Sequence, residues 1–119
     1  MPTIAEIIKM DPLELAEKLV KISCVEIPCD INSADDMTRA GNLLGKYTNS
    51  YVYLTGVLSF LKVLTKNAKS RGEKELYEDM AMRRDVVEKM AEVEKQKYNA
   101  ISRMITTKQE VNKELQMAG

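Results

Sequence analysis

The chain has no histidine, only two cysteines, three prolines and five glycines, and it carries no excess of either charge, with 18 basic and 18 acidic residues among 119. Each scarcity excludes something. Without histidine, the commonest general base and metal ligand is missing, and Cys24 and Cys29, spaced as CxxxxC, would need carboxylates or a second chain to complete a zinc site. Two reduced thiols are the expectation, and a disulfide is allowed but not required. A zero net charge predicts neither a nucleic-acid nor a membrane partner from bulk electrostatics. No apolar run approaches 18 residues, and the start, MPTIAEIIKMDP, is acidic and periodic rather than a basic leader before an apolar block. A membrane span and a secretory leader are therefore not expected, and the expected compartment is the cytoplasm.

What the chain does have is helical periodicity. Between Met37 and Ala68 it reads MTRAGNLLGKYTNSYVYLTGVLSFLKVLTKNA. With Met37 at a, Leu44, Tyr51, Leu58 and Thr65 also occupy a, and Ala40, Tyr47, Leu54, Leu61 and Ala68 occupy d. Leu43, Val57 and Leu64 add an apolar line at g, so the face is wide enough to meet more than one helix. Tyr47 and Tyr51 lie on this seam and Tyr53 off it, in keeping with packing; stacking on nucleic-acid bases is the sharper alternative. Gly41 and Gly45 have small-xxx-small spacing, which permits close approach by another helix.

Around this element the chain divides into three parts. Residues 1–32 hold short docking helices and a connector. Thr3 and Glu6 form a capping signature before Ile4, Ile7 and Ile8, and Asp11-Pro12 starts a second helix with Leu13, Ala16, Leu19 and Val20 through Ile22. Ile4, Ile7, Leu13, Leu19 and Ile22 are predicted to contact the long seam. The connector CVEIPCDIN has Pro28, which biases Ile27 to an extended conformation. Ser33 with Asp36 then caps the first long helix, 33–71, and Gly72 suits a left-handed helix end. The second long helix, 73–116, carries Met80, Val87, Met90, Ile101, Met104, Val111 and Leu115, supported by Val86, Val93, Ala100 and Ile105. Glu94, Lys97 and Lys108 interrupt that seam, which predicts a phase shift or a middle that reaches water. The expected fold is all-α, one domain, a long antiparallel coiled-coil-like hairpin with short N-terminal helices. Its packing or oligomer interface is expected to use Leu43, Leu44, Tyr47, Tyr51, Leu54, Val57, Leu58, Leu61, Leu64, Val87, Met90, Ile101, Met104 and Ile105.

Charge is segregated along the chain. Residues 1–36 are net minus five, 37–72 net plus six with no acid at all, 73–94 net minus four and 95–119 net plus three. Enzymatic chemistry finds no support: there is no phosphate-binding glycine loop and no nucleophile motif, and carboxylate pairs such as Glu75/Asp79, Glu88/Glu92 and Glu110/Glu114 read as solvated helix faces. No catalytic residue, cofactor or metal is expected, Asp30, Asp35 and Asp36 included. The surplus apolar face instead predicts a homo-oligomer and an unidentified protein partner. Lys62, Lys66 and Lys69 share one side of the helix and, with Arg71, Arg39 and Lys46, are candidates for phosphate contacts to single-stranded DNA. The acidic segment 73–94 offers a third reading, an inhibitor that presents an acidic helical face.

The layout over roughly residues 37–112, with a long helix beginning MTRAGNLLGKYTNSY, a charged break and a helix containing DVVEKMAEVEKQKYNAISRMI, resembles the phage T4-type recombination mediators. That resemblance implies a non-enzymatic phage protein that assembles into a higher oligomer, binds single-stranded DNA by a basic surface and contacts a recombinase or a single-strand-binding protein. Lys46, Tyr47 and Arg103 lie in segments of comparable character, and Arg103 completes the nucleic-acid candidates.

Overall fold

The computed structural model describes residues 1–23 and 31–118, so the connector with Cys24, Ile27, Pro28, Cys29 and Asp30 lies outside the described residues. Four helices follow one another: α1 (Ile4–Lys9), α2 (Pro12–Ile22), α3 (Ala34–Ser70) and α4 (Lys74–Ala118). The fold is all-α, with α3 and α4 packed along their lengths as a hairpin and the two short helices laid against it. The molecule is a rod of 69 × 24 × 17 Å. Its length is that of α4, whose 45 residues span about 67 Å at 1.5 Å each.

Each helix starts and stops for a local reason. The Thr3 hydroxyl accepts from the Glu6 amide at 3.3 Å, the Asp11 carboxylate from the Leu13 amide at 3.2 Å, and the Ser33 hydroxyl from the Asp36 amide at 3.1 Å. Asp36 reaches back to the Asn32 amide at 3.0 Å, one residue beyond a standard capping box. That amide, then the Ser33 hydroxyl, hold the Asp36 carboxyl below its ordinary value against a smaller opposing effect of desolvation. At the hairpin end Gly72 has φ of 69°, the Glu73 amide donates to Ala68 O and the Gly72 amide to Lys69 O. These two bonds close a Schellman motif and turn the chain back within three residues.

The core axis of α3 is rotated from the predicted seam. The d residues Ala40, Tyr47, Leu54, Leu61 and Ala68 are buried, with Leu43, Ser50 and Val57 of the g line, while Met37, Leu44, Tyr51 and Leu58 of the a line form a half-buried flank; near the hairpin turn Thr65 of the a line is buried and Leu64 of the g line half-buried. On α4 the buried line is Met80, Val87, Glu94 and Ile101, one every seven residues. Neither expected accommodation of Glu94 occurs: the line keeps its phase, and the side chain is 0% exposed. Val93, Ala100, Val111 and Leu115, expected to support the seam, are exposed. Val93 and Ala100 lie on the outer side of the helix, and Val111 and Leu115 lie where α4, with 45 residues against 37 in α3, runs past the start of α3.

The N-terminal arm also differs from its prediction. Both short helices lie closer to α4 than to α3, yet the predicted contacts Ile7 and Leu19, with Ile4 and Ile22 beside them, join one apolar cluster with Leu54, Val57 and Leu61 of the Met37–Ala68 seam. In α2 the buried residues are Leu15 and Leu19, whereas Leu13 is 68% exposed. Leu15, Leu19 and Ile22 recur at steps of four and three on one face, and Leu13 falls off that face. Gly41, Gly45 and Gly56 face open space, so the small-residue spacing serves no close approach within the chain.

Arg83 of α4, although buried, ties the arm down. Its guanidinium donates to Ile7 O at 3.2 Å and to Met10 O at 3.0 and 2.6 Å, adding to the Met10 amide on the first and supplying donors to the second just past the end of α1. It also pairs with Asp79 at 2.7 Å, one turn earlier on α4. At the other edge the Tyr53 hydroxyl donates to Pro2 O. Burial, and then the charge of Glu6, push the Tyr53 phenol above its ordinary value, which keeps it a donor.

Replacing Arg83 by methionine keeps much of the stem volume but leaves Met10 O without a donor and Ile7 O with the Met10 amide alone, at a cost of about 1–3 kcal/mol. Urea unfolding should read that loss, and amide hydrogen exchange should accelerate in residues 4–10 more than in α3.

Candidate interaction surface

Two features of the hairpin bear on what the molecule does: a polar layer inside it and the exposed faces of its long helices. The polar layer separates two apolar clusters. One is built from Ile7, Leu15, Leu54, Leu61 and Val87 with their neighbours; the other from Ile31, Ala40, Leu43, Tyr47 and Ile101. Between them the Ser23 hydroxyl, just past the end of α2, donates to Glu94 Oε1 and accepts from Lys97 Nζ at 3.0 Å. Lys97 Nζ lies 3.8 Å from Glu94 Oε1 and 5.5 Å from the centre of the Tyr47 ring. Glu94 Oε2 and the buried Ser50 hydroxyl have no hydrogen-bond partner among the described residues. This layer is a structural device: a charge inside a seam is tolerated only where partners meet it, so it pins the arm to one position along α4.

The exposed faces hold the charge candidates. Arg39, Lys46, Lys62, Lys66, Lys69, Arg71 and Arg103 are all exposed. The structure does not gather them into one patch. Lys62 and Lys69 share one heptad position and Lys66 lies beside them on the outward side; Arg39 and Lys46 share a different position, on the opposite flank of the buried face. Arg103 belongs to α4. The ion pairs among the described residues are Arg83–Asp79, Arg84–Asp85 and Lys97–Glu94, so the acidic segment of α4 does not pair with the lysines at the end of α3.

The expected interface residues lie on the inner side of the hairpin. Leu43, Tyr47, Leu54, Val57, Leu61, Val87 and Ile101 are buried, and Leu44, Tyr51, Leu58, Leu64, Met90, Met104 and Ile105 are half-buried around them. These groups are occupied within one chain. The exposed apolar residues of α3 are others: Val52, 64% exposed, and Val63, 56% exposed, with Phe60 at the edge; outside α3, Leu13, Val20, Met82 and Leu115 are also exposed. Sequence periodicity passed over those of α3 because they lie outside the seam. A different signal was present, since from Tyr47 to Leu61 the helix contains no charged residue on any face. Its outward side there is Thr48, Asn49, Val52, Thr55, Gly56 and Ser59, all exposed.

Among the described residues no cluster of three or more cysteines, aspartates or glutamates is arranged to hold a metal ion, and no helix is long and apolar enough to cross a membrane. Fold and surfaces together define a braced antiparallel helical hairpin with an uncharged stretch on the outer side of α3. No protein-family model, curated protein or solved structure matches the chain.

The polar layer has two predicted responses. Ser23→Ala removes a hydroxyl that donates to buried Glu94 and should destabilise by about 1–3 kcal/mol. Glu94→Leu combined with Ser23→Ala and Lys97→Met, which replaces the whole polar layer with apolar groups, should be neutral or stabilising in a thermal melt, because the desolvation penalty disappears with the charges.

Proposed function

We propose that the chain is a non-enzymatic helical module that self-associates and holds protein partners in place. The observation that supports this reading is the outer face of α3. A helix face that only meets water normally carries mixed charges, about a quarter to a third of its residues. Here the exposed side between Lys46 and Lys62 has none, and it shows valine, threonine, serine, asparagine and glycine instead. Such a face loses little by leaving water. Glycines with open space above them let a second backbone approach closely, and Val52 and Val63 supply apolar area to bury.

Light scattering on the purified chain tests the proposal. A mass well above 13.5 kDa is expected at micromolar concentration. Val52→Asp with Val63→Asp should reduce it towards a single chain while circular dichroism stays unchanged, since neither side chain belongs to the core. A wild-type chain that is monomeric throughout would defeat this reading.

A second reading, single-stranded DNA binding by a recombination accessory, rests on Lys62, Lys66 and Lys69, which lie within two turns, are exposed and enter none of the ion pairs described. They suit phosphate contacts without base readout. Fluorescence polarisation with a labelled single strand should then show affinity that falls steeply with added salt, and Lys62→Glu, Lys66→Glu and Lys69→Glu together should abolish it. Binding that is absent, or indifferent to salt, would sink the DNA reading. The acidic-face reading rests on Glu78, Asp85 and Glu92, which follow one another at seven-residue spacing on the outside of α4.

A further inference from the structure

If the outer face of α3 meets a second copy, that copy must present something to it. Another α3 is a poor occupant. Every charge on α3 between Met37 and Ser70 is positive, with Arg39 and Lys46 towards one end of the uncharged stretch and Lys62, Lys66 and Lys69 at the other. A parallel pairing sets each end against itself, an antiparallel pairing sets one end against the other, and both oppose like charges.

The outer face of α4 has the complementary pattern. Met82, 56% exposed, sits between Glu78 and Asp85, one turn to either side. Val93, 39% exposed, follows eleven residues later, which is three helical turns and returns to nearly the same face. On α3 the exposed valines, Val52 and Val63, are also eleven residues apart, and Val63 is flanked by Lys62 and Lys66. The two helices therefore show apolar side chains at one spacing, about 16 Å, with lysines around one and carboxylates around its counterpart. Laid antiparallel with Val63 on Met82 and Val52 on Val93, Lys66 meets Glu78, Lys69 meets Glu75 and Lys62 meets Asp85. The uncharged stretch of α3 then faces residues 84–98 of α4, where exposed Lys89 lies between the carboxylates of Asp85 and Glu92.

Building on the self-association reading, we propose that the hairpin assembles by docking the outer face of α3 on the outer face of α4 of a second copy. The contact is heterologous: each chain offers a basic face on one side and an acidic face on the other. Because α3 and α4 are antiparallel within one chain, antiparallel docking places the copies side by side with their hairpin turns at the same end. Each added chain exposes a fresh face, so the contact repeats rather than closing as a two-fold dimer.

Charge exchange on the full chain tests this. One variant carries Lys62→Glu, Lys66→Glu and Lys69→Glu; the other carries Glu75→Lys, Glu78→Lys and Asp85→Lys. Each alone should fall to the single-chain mass by light scattering, with helicity retained. An equimolar mixture should regain the wild-type mass, because each reversed face now finds its opposite on the other variant. Wild-type mass should also fall with added salt. If either variant loses helicity, glutamine at the same positions removes the attraction without reversing it, and the salt series on the wild type still decides. An assembled wild type indifferent to both exchanges, or a mixture that stays monomeric, overturns the α3-to-α4 pairing and leaves self-association standing. A wild-type monomer overturns both. A lysine variant that keeps its mass but loses single-stranded DNA assigns those lysines to phosphate and overturns the pairing.

Discussion

Helix α4 buries two charges, Arg83 and Glu94, and the remaining architecture follows from how they are met. A charge taken from water costs several kcal/mol unless hydrogen bonds and counter-charges replace its hydration. Both groups find that replacement in the N-terminal arm. Arg83 takes carbonyls from the end of α1, and Glu94 takes the hydroxyl of Ser23 at the end of α2. Eleven residues apart, the two anchors set the arm along α4 so that Ile7, Leu15 and Leu19 cover the half of the groove near the hairpin turn. Helices as short as α1 and α2 do not persist alone in water. Their stability is thus tied to charges on another element, and the charges are tolerable only because the helices are there.

The inside and outside of the hairpin obey different rules. Inside, residues recurring every seven positions on α3 and α4 fill the seam, and Arg83, Glu94 and Thr65 are answered by the arm or a neighbouring turn, whereas the buried Ser50 hydroxyl has no hydrogen-bond partner among the described residues. Outside, side chains are free to be charged at little cost, which makes the uncharged stretch of α3 informative. Nothing about folding α3 against α4 requires Thr48, Val52, Thr55 and Ser59 to be uncharged. The basic segment after it and the acidic start of α4 are adjacent along the chain yet do not form ion pairs with one another. Lys62, Lys66 and Lys69 on one side and Glu75 and Glu78 on the other are exposed and enter none of the ion pairs among the described residues.

Much of the fold was legible because helix ends are local events. Thr3, Asp11, Ser33 and Gly72 each act on backbone groups within four residues, so caps and turn read directly from sequence. Phase was harder. The lines through Met37 and through Ala40 are both rich in apolar residues, and choosing between them requires knowing where α4 lies. Leu13 and Leu15 are chemically alike, and only docking on α4 buries one and exposes the other. For the candidate surface, lysine spacing was readable, but the separation of Arg39 and Lys46 from Lys62 and Lys69 depended on the true rotation of the buried face.

By itself, the sequence determined an all-α hairpin with capped short helices before it, since periodicity, capping residues and a glycine turn act over a few residues. Only the tertiary structure decided the fate of Glu94. A carboxylate on a seam either reaches water, breaks the repeat or is buried with partners, and the sequence around it does not distinguish these outcomes. The deciding groups are Ser23, 71 residues earlier in the chain, and Lys97 one turn on, and only folding brings the first of them within reach. The same reasoning applies to the outer face of α3, whose lack of charge is written in the sequence but whose exposure is a property of the fold.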